Sequence, residues 1–187
     1  MFLSRLRNLF QRSKTALQRR RSHSSSPQQS LKLESLEDRR MMAFTPALSY
    51  SAGTNPAGIA VGDFNHDGRD DMAVADYAAI GTVNVLLSDA DGSFQLPAAY
   101  GASSNSFDAA TGDLNGDGHL DLAVVGDALT ILMGNGDGTF GGAQAFPASA
   151  SAHAVKIGDF NNDGIADVAT MNVNSASVYL GNGDGSV

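Results

Sequence analysis

From residue 44 onward, apolar and polar positions alternate in short runs, and no stretch carries the three-to-four-residue spacing of a helix. The pairs and triplets Met72/Val74, Val83/Val85/Leu87, Leu122/Val124, Leu129/Ile131/Met133 and Val178/Leu180 repeat every second residue, the mark of a strand with one face inward. Between them stand Ala73, Ala75, Ala123 and Ala169, small residues suited to a sheet that another sheet approaches closely. Each run ends at an Asp-Gly turn: ADGSF (90–94), GDGTF (136–140) and GDGSV (183–187). In the first unit, 56–63 leads into an Asp-rich loop, 71–77 leaves it, 82–89 follows, and 94–100 comes after the turn. The pattern predicts four short antiparallel strands per unit.

The units recur. Phe44, Phe94 and Phe140 each lie 19 residues before an Asp, at Asp63, Asp113 and Asp159. Four-stranded antiparallel units in series are the blades of a β-propeller, so the expected class is all-β, with the fold beginning at 44. The segment 44–54 supplies a leading strand, two complete units follow, and three strands of a last unit close the chain: about three blades. Rings have four to eight. The expectation is therefore either a fragment of a larger propeller or identical chains that complete one another's ring, self-associating through open blade edges.

Residues 1–43 differ in kind. They hold ten of the twelve Lys and Arg but three of the twenty acids, whereas 44–187 hold Arg69, Lys156 and seventeen Asp. Phe2, Leu3, Leu6, Leu9, Phe10 and Leu17 fall at helical spacing among Arg5, Arg7, Arg12 and Lys14, as in a basic amphipathic helix. Residues 19–30 read as a disordered linker. The segment LKLESLEDRRMMA (31–43) resembles the LEPLEDRRLLSA-type segment near the start of many large exported and surface proteins of bacteria. It departs at Ser35 and at Met41–Met42. Residues 1–43 are thus expected to be a targeting segment outside a repeat domain at 44–187, in an extracellular or cell-surface protein. No apolar run reaches 18 residues, so no transmembrane helix is expected. Cys is absent, which removes disulfides and thiolate sites. The acidity of 44–187 excludes nucleic acid as a partner.

The acids are not spread evenly, and the part after 43 contains no Glu. Asp alone points to short side chains in tight turns. Residues 63–71 read DFNHDGRDD, 113–121 read DLNGDGHLD, and 159–167 read DFNNDGIAD. Loop positions 1, 3, 5 and 9 carry Asp63, Asn65, Asp67 and Asp71; Asp113, Asn115, Asp117 and Asp121; and Asp159, Asn161, Asp163 and Asp167. Gly68, Gly118 and Gly164 occupy position 6, where the backbone must turn sharply. Three carboxylates and an amide on nine residues make an oxygen cage for a hard dication, best matched by Ca²⁺. The competing reading is an Asx-rich hairpin turn with no ion. Helix-flanked calcium loops are excluded, because position 12 is Val74, Val124 or Thr170 rather than an acid.

The loop, the β-run and the L-G-N-G-D-G-T-F turn together resemble the FG-GAP/VCBS repeat family, which includes the integrin α-subunit propellers and repeats of many secreted bacterial proteins and lectins. The resemblance covers 44–187. It implies Ca²⁺-stabilised blades in an extracellular setting, with the backbone carbonyls of Arg69, His119 and Ile165 as further ligands and bidentate binding by the last Asp. The second Asp-Gly turns (Asp89/Asp91, Asn135/Asp137, Asn182/Asp184) lack the position-9 acid and read as hairpin turns. His23, His66, His119 and His153 form no catalytic pattern, and no nucleophile–base pair, phosphate loop or zinc spacing is visible, so no enzymatic activity is expected. The expected role is structural or adhesive, with a protein or glycan ligand. For a glycan, Tyr77, Tyr100 and Phe107 are the candidate aromatic platforms. An accessory role beside a catalytic domain elsewhere is the remaining alternative.

Overall fold

The computed structural model describes residues 47–148 and 152–187. The chain divides into two units, Met1–Ala47 and Leu48–Val187, and the second holds all the secondary structure described. The amphipathic helix, the linker and the targeting segment expected over 1–43 lie outside the described residues, as does the expected boundary at 43/44.

The alternating runs form strands where the pattern places them. β1 (Pro56–Gly62), β2 (Asp71–Asp76), β3 (Thr82–Leu86) and β4 (Ala98–Gly101) make one sheet in that order. β5 (Asp108–Gly112), β6 (Asp121–Val125), β7 (Leu129–Leu132) and β8 (Gln144–Phe146) make a second. β9 (Ala154–Gly158), β10 (Asp167–Met171) and β11 (Ala176–Tyr179) make a third. All pairings are antiparallel, and the registers match between sheets: Ala73 faces Val85, Ala123 faces Ile131, and Ala169 faces Val178. The fold is all-β with three blade-like sheets in an open array, and the described residues contain no helix.

The outer strands are shorter than the pattern suggests. In the first unit, Phe94 pairs only as a single bridge to Ser88, and the strand restarts at Ala98. Pro97 has no N–H to offer the ladder between them. In the second, Phe140 bridges Gly134, and the pair Gly141–Gly142 separates it from β8.

The leading strand expected over 44–54 is not found. Residues 44–46 lie outside the described set, and 47–54 carry no strand. This segment leans on the first sheet instead. The Tyr50 ring meets Phe94 edge to face, with centroids 5.2 Å apart. The Asp76 carboxylate accepts hydrogen bonds from Thr54 N and Oγ1, both at 3.0 Å, and from Asn55 N at 2.5 Å. The Thr54 N–H is the main reason the Asp76 pKa lies below the ordinary carboxylate value, against the opposing effect of burial. A carboxyl with a depressed folded pKa stabilises fully above its unfolded value near 3.9, and that stabilisation is lost as pH falls through the folded value. Asp76→Ala is expected to cost about 1–3 kcal/mol at pH 7, because it orphans these donors. Urea midpoints at pH 7 and below pH 3 check this, with the variant's deficit shrinking at the lower pH.

No sheet has a core of its own. Ala60, Phe64, Ala73, Ala75, Val83 and Val85 of the first sheet close against Leu122, Val124, Leu132 and Phe140 of the second. The second sheet's other face, with Ala123, Val125, Leu129 and Ile131, closes against Val155 and Val168 of the third. The alternation sends odd and even residues of β6 into different cores, so every residue of that strand is buried. The small residues work as the pattern predicts, since Ala73, Ala75 and Ala123 are wholly covered by the adjoining sheet.

Candidate metal centres

Each Asp-rich loop joins the first two strands of its sheet, and the three loops share one hydrogen-bonding plan. In the first, Asp63 accepts from Asp67 N at 3.0 Å and Gly68 N at 2.8 Å. Asn65 Oδ1 accepts from Asp67 N at 3.1 Å, and Asp67 Oδ1 accepts from Arg69 N at 3.0 Å. In the second, Asp113 accepts from Gly116 N and Gly118 N, Asn115 from Asp117 N, and Asp117 from His119 N, at 2.7–2.9 Å. The third repeats the first: Asp159 accepts from Asp163 N and Gly164 N, Asn161 from Asp163 N, and Asp163 from Ile165 N. The Asn side chain also donates to the position-5 Asp in every copy, at 2.8–2.9 Å.

The chain winds this way because two positions take left-handed φ. Gly68, Gly118 and Gly164 do so at +83°, +85° and +87°. Position 4 does so as well, with His66 at +57°, Gly116 at +76° and Asn162 at +61°. The sequence reading passed over position 4. Its signal was there: Gly, Asn and His are among the residues that tolerate this region.

Position 9 has a second task. Asp71, Asp121 and Asp167 are wholly buried. One oxygen of each accepts the N–H of loop position 2, from Phe64, Leu114 or Phe160, at 2.8–3.0 Å. The other accepts an N–H from just beyond the third strand, Ser88, Gly134 or Gly181, at 2.7–2.8 Å. Each carboxylate therefore staples its loop to the far end of its hairpin. Burial pushes the Asp121 pKa up against these bonds, and the neighbouring charges of Asp117 and Asp113 add to the rise. Asp167 shifts the other way: the Gly181 N–H leads, and its pKa lies below the ordinary value. The difference follows position, because Asp121 belongs to the middle sheet, which is packed on both faces. At Asp63, partial desolvation is outweighed by the N–H groups of Gly68 and Asp67, and the pKa is lowered.

As placed, no three His, Asp or Glu side chains among the described residues converge closely enough to hold an ion. The donor set nonetheless fits a hard dication in its chemistry. Each loop offers three carboxylates and an amide. The loop's own N–H groups take one lone pair of an oxygen, and a second remains. Among the described residues, one loop acid has a cationic partner: the Arg69 guanidinium sits on Asp67. Among the described residues, no Lys or Arg pairs with an acid of the second or third loop. The candidate carbonyls of Arg69, His119 and Ile165 follow the position-6 glycines, in backbone held by the position-5 carboxylates.

The second Asp-Gly turns are hairpin turns. Asp91, Asp137 and Asp184 each accept from the hydroxyl and the N–H of Ser93, Thr139 or Ser186. The hydroxyl leads in lowering all three pKa values. Gly138 in the second of these turns donates its N–H to Phe64 O at 2.9 Å, tying one sheet's turn to the preceding sheet's loop. The first two loops also meet through His66 Nε2 and His119 Nδ1, 2.9 Å apart. The second and third loops flank an open cleft of about 520 Å³ walled by Asp113, Asn115, Asp159 and Gly164.

The aromatic candidates separate. Tyr100 packs edge to face on Phe140, 5.5 Å between centroids, against the first core. Tyr77 and Phe107 stack on one another at 4.8 Å, and Phe107 on His153 at 4.3 Å, at the strand ends away from the Asp-rich loops.

Fold and loops together define a tandem array of blade-like sheets, two of four strands and one of three, each opening on an Asp-lined loop between its first two strands. The profile of the FG-GAP-like repeat matches residues 63–124 and again 113–170, more than half of the chain, and each match begins at the first Asp of a loop. The chain belongs to the FG-GAP-like repeat family. No curated protein matches it. Among the described residues, no helix is long and apolar enough to cross a membrane.

Proposed function

We propose that this chain is a calcium-binding, non-catalytic repeat module of an exported protein, in which each Asp-rich loop takes one Ca²⁺ and the ion braces the blade. The observation that carries the reading is the threefold recurrence of one loop plan, in which, among the described residues, no Lys or Arg pairs with the acids of the second and third copies. A turn needing only Asx geometry requires one carboxylate to cap it. These loops keep three, whose mutual repulsion a dication relieves. Extracellular Ca²⁺ modules bind with Kd of about 10⁻⁴–10⁻³ M, which suits a setting rich in the ion. An adhesive or scaffolding role follows from that setting and from the family.

The three sites are not equal. Arg69 occupies the Asp67 carboxylate, so the first loop binds more weakly than the other two. Calorimetric titration of Ca²⁺ into the chain tests the proposal. The expected result is three sites, two tighter than the third, with Arg69→Ala bringing the weak one toward the others. Absence of calcium heat, with no calcium retained on equilibrium dialysis, would overturn it.

A further inference from the structure

The three loops are copies, so a residue pair that departs from the shared plan stands out. Position 4 of the first loop meets position 7 of the second across the joint between their sheets. These residues are His66 and His119, and His66 Nε2 lies 2.9 Å from His119 Nδ1. At the next joint the same positions hold Gly116 and Ile165, which both line the open cleft between the second and third loops. The pair thus belongs to one joint, and the repeat itself does not require it. The other described imidazole, His153, stacks on Phe107 at the far strand ends.

Both rings are held in place. His66 sits at a φ of +57°, a conformation that glycine adopts at lower cost. His119 lies against the second Asp-Gly turn of its own sheet, where a Cβ on Gly136 would run into its Nδ1 and Cε1. Glycine there leaves space beside the nitrogen that faces His66. The same turn is tied to the first loop, since Gly138 N donates to Phe64 O at 2.9 Å. Carboxylates stand around the pair: Asp63 within electrostatic reach of His66, and Asp117 and Asp137 within reach of His119.

Two neutral imidazoles share one proton across this contact. With that proton on an outer nitrogen instead, His66 carries hydrogen on Nδ1 and His119 on Nε2, and both facing lone pairs are free. Metal–nitrogen bonds run about 2.0–2.1 Å, so ligands at right angles stand about 2.8–3.0 Å apart and tetrahedral ligands about 3.3–3.4 Å. The observed spacing suits the right angle, the geometry of Cu²⁺ and Ni²⁺. Imidazole favours such ions, whereas the all-oxygen loops favour Ca²⁺.

We propose that His66 and His119 form a two-imidazole site for a tetragonal transition-metal dication, Cu²⁺ foremost, which bridges the first and second Asp-rich loops with water completing its shell. The site uses ring nitrogens and none of the loop carboxylates, so it stands whether or not the loops take Ca²⁺. An ion held there ties the first sheet to the second at the rim of their shared core.

Electron paramagnetic resonance of the full chain with one equivalent of Cu²⁺ is the test, with and without excess Ca²⁺. Spin-echo modulation from the remote imidazole nitrogen counts the coordinated rings, and carboxylates give no such signal. The parent chain shows two imidazoles on one Cu²⁺. His66→Asn and His119→Ile, which install the residues found at these positions in the third loop, each leave at most one and weaken Cu²⁺ binding at least tenfold. Circular dichroism checks that both keep the strand spectrum. His23→Asn and His153→Asn leave signal and affinity unchanged. A parent spectrum without two coordinated imidazoles would overturn the proposal. So would two imidazoles that persist in the His66 and His119 variants, or that vanish with His23 or His153.

Discussion

Stripping calcium with EDTA is expected to lower the melting temperature of the full chain by about 10 °C. At a tenfold excess of Ca²⁺ over Kd, one site stabilises the folded state by roughly 1.4 kcal/mol, so three contribute about 4 kcal/mol. For a unit of this size, each kcal/mol moves the midpoint by about 2–4 °C. The loss has a physical source beyond mass action. With the ion removed, the Asp113, Asp117 and Asp121 carboxylates repel across one short loop, and the rise in the Asp121 pKa already registers that repulsion after burial. Differential scanning calorimetry with and without chelator measures the shift, and re-addition of Ca²⁺ restores it. Identical melting curves in both conditions would leave the loops as turns only.

The second large effect separates the two tasks of the loop acids. Asp121→Ala removes the acceptor for Leu114 N and Gly134 N, both within the buried staple. Each orphaned N–H costs about 1–3 kcal/mol, so the variant loses about 3 kcal/mol or more even in EDTA. Asp117 is exposed, and water can replace its bonds to His119 N and Asn115. Asp117→Ala is therefore expected to be nearly neutral in EDTA, yet to lose the calcium response of its loop. Chemical denaturation of both variants, with and without Ca²⁺, gives a two-by-two comparison. Equal behaviour of the two variants in EDTA would refute a structural role for position 9.

Much of this architecture was legible before any coordinates. Period-two alternation marked β2, β3, β6, β7 and β11, because successive side chains of a strand face opposite sides of its sheet, and the Asp-Gly turns marked the hairpins that follow β3 and β7. The loops were legible because one side-chain pattern recurs. What escaped was set by contacts distant in the chain. The staple role of Asp71, Asp121 and Asp167 depends on N–H groups beyond the third strand, which spacing within the loop cannot reveal. The segment before Thr54 has strand-like composition, but here the Asp76 carboxylate and the Phe94 ring hold it without a ladder. Tyr100 shares its residue type with Tyr77, and only packing on Phe140 shows that it belongs to the interior. The left-handed position 4 was readable in principle, had His66, Gly116 and Asn162 been compared as backbone rather than as side chains.

Because both apolar clusters straddle neighbouring sheets, the order of synthesis matters. When β1 to β4 have left the ribosome, Phe64, Val83 and Val85 still have nothing to close against. Their counterparts Leu122, Leu132 and Phe140 emerge later, and until then the nascent chain exposes a bare oily plane to the cell. That face is closed only once the second sheet, as far as Phe140, is in place.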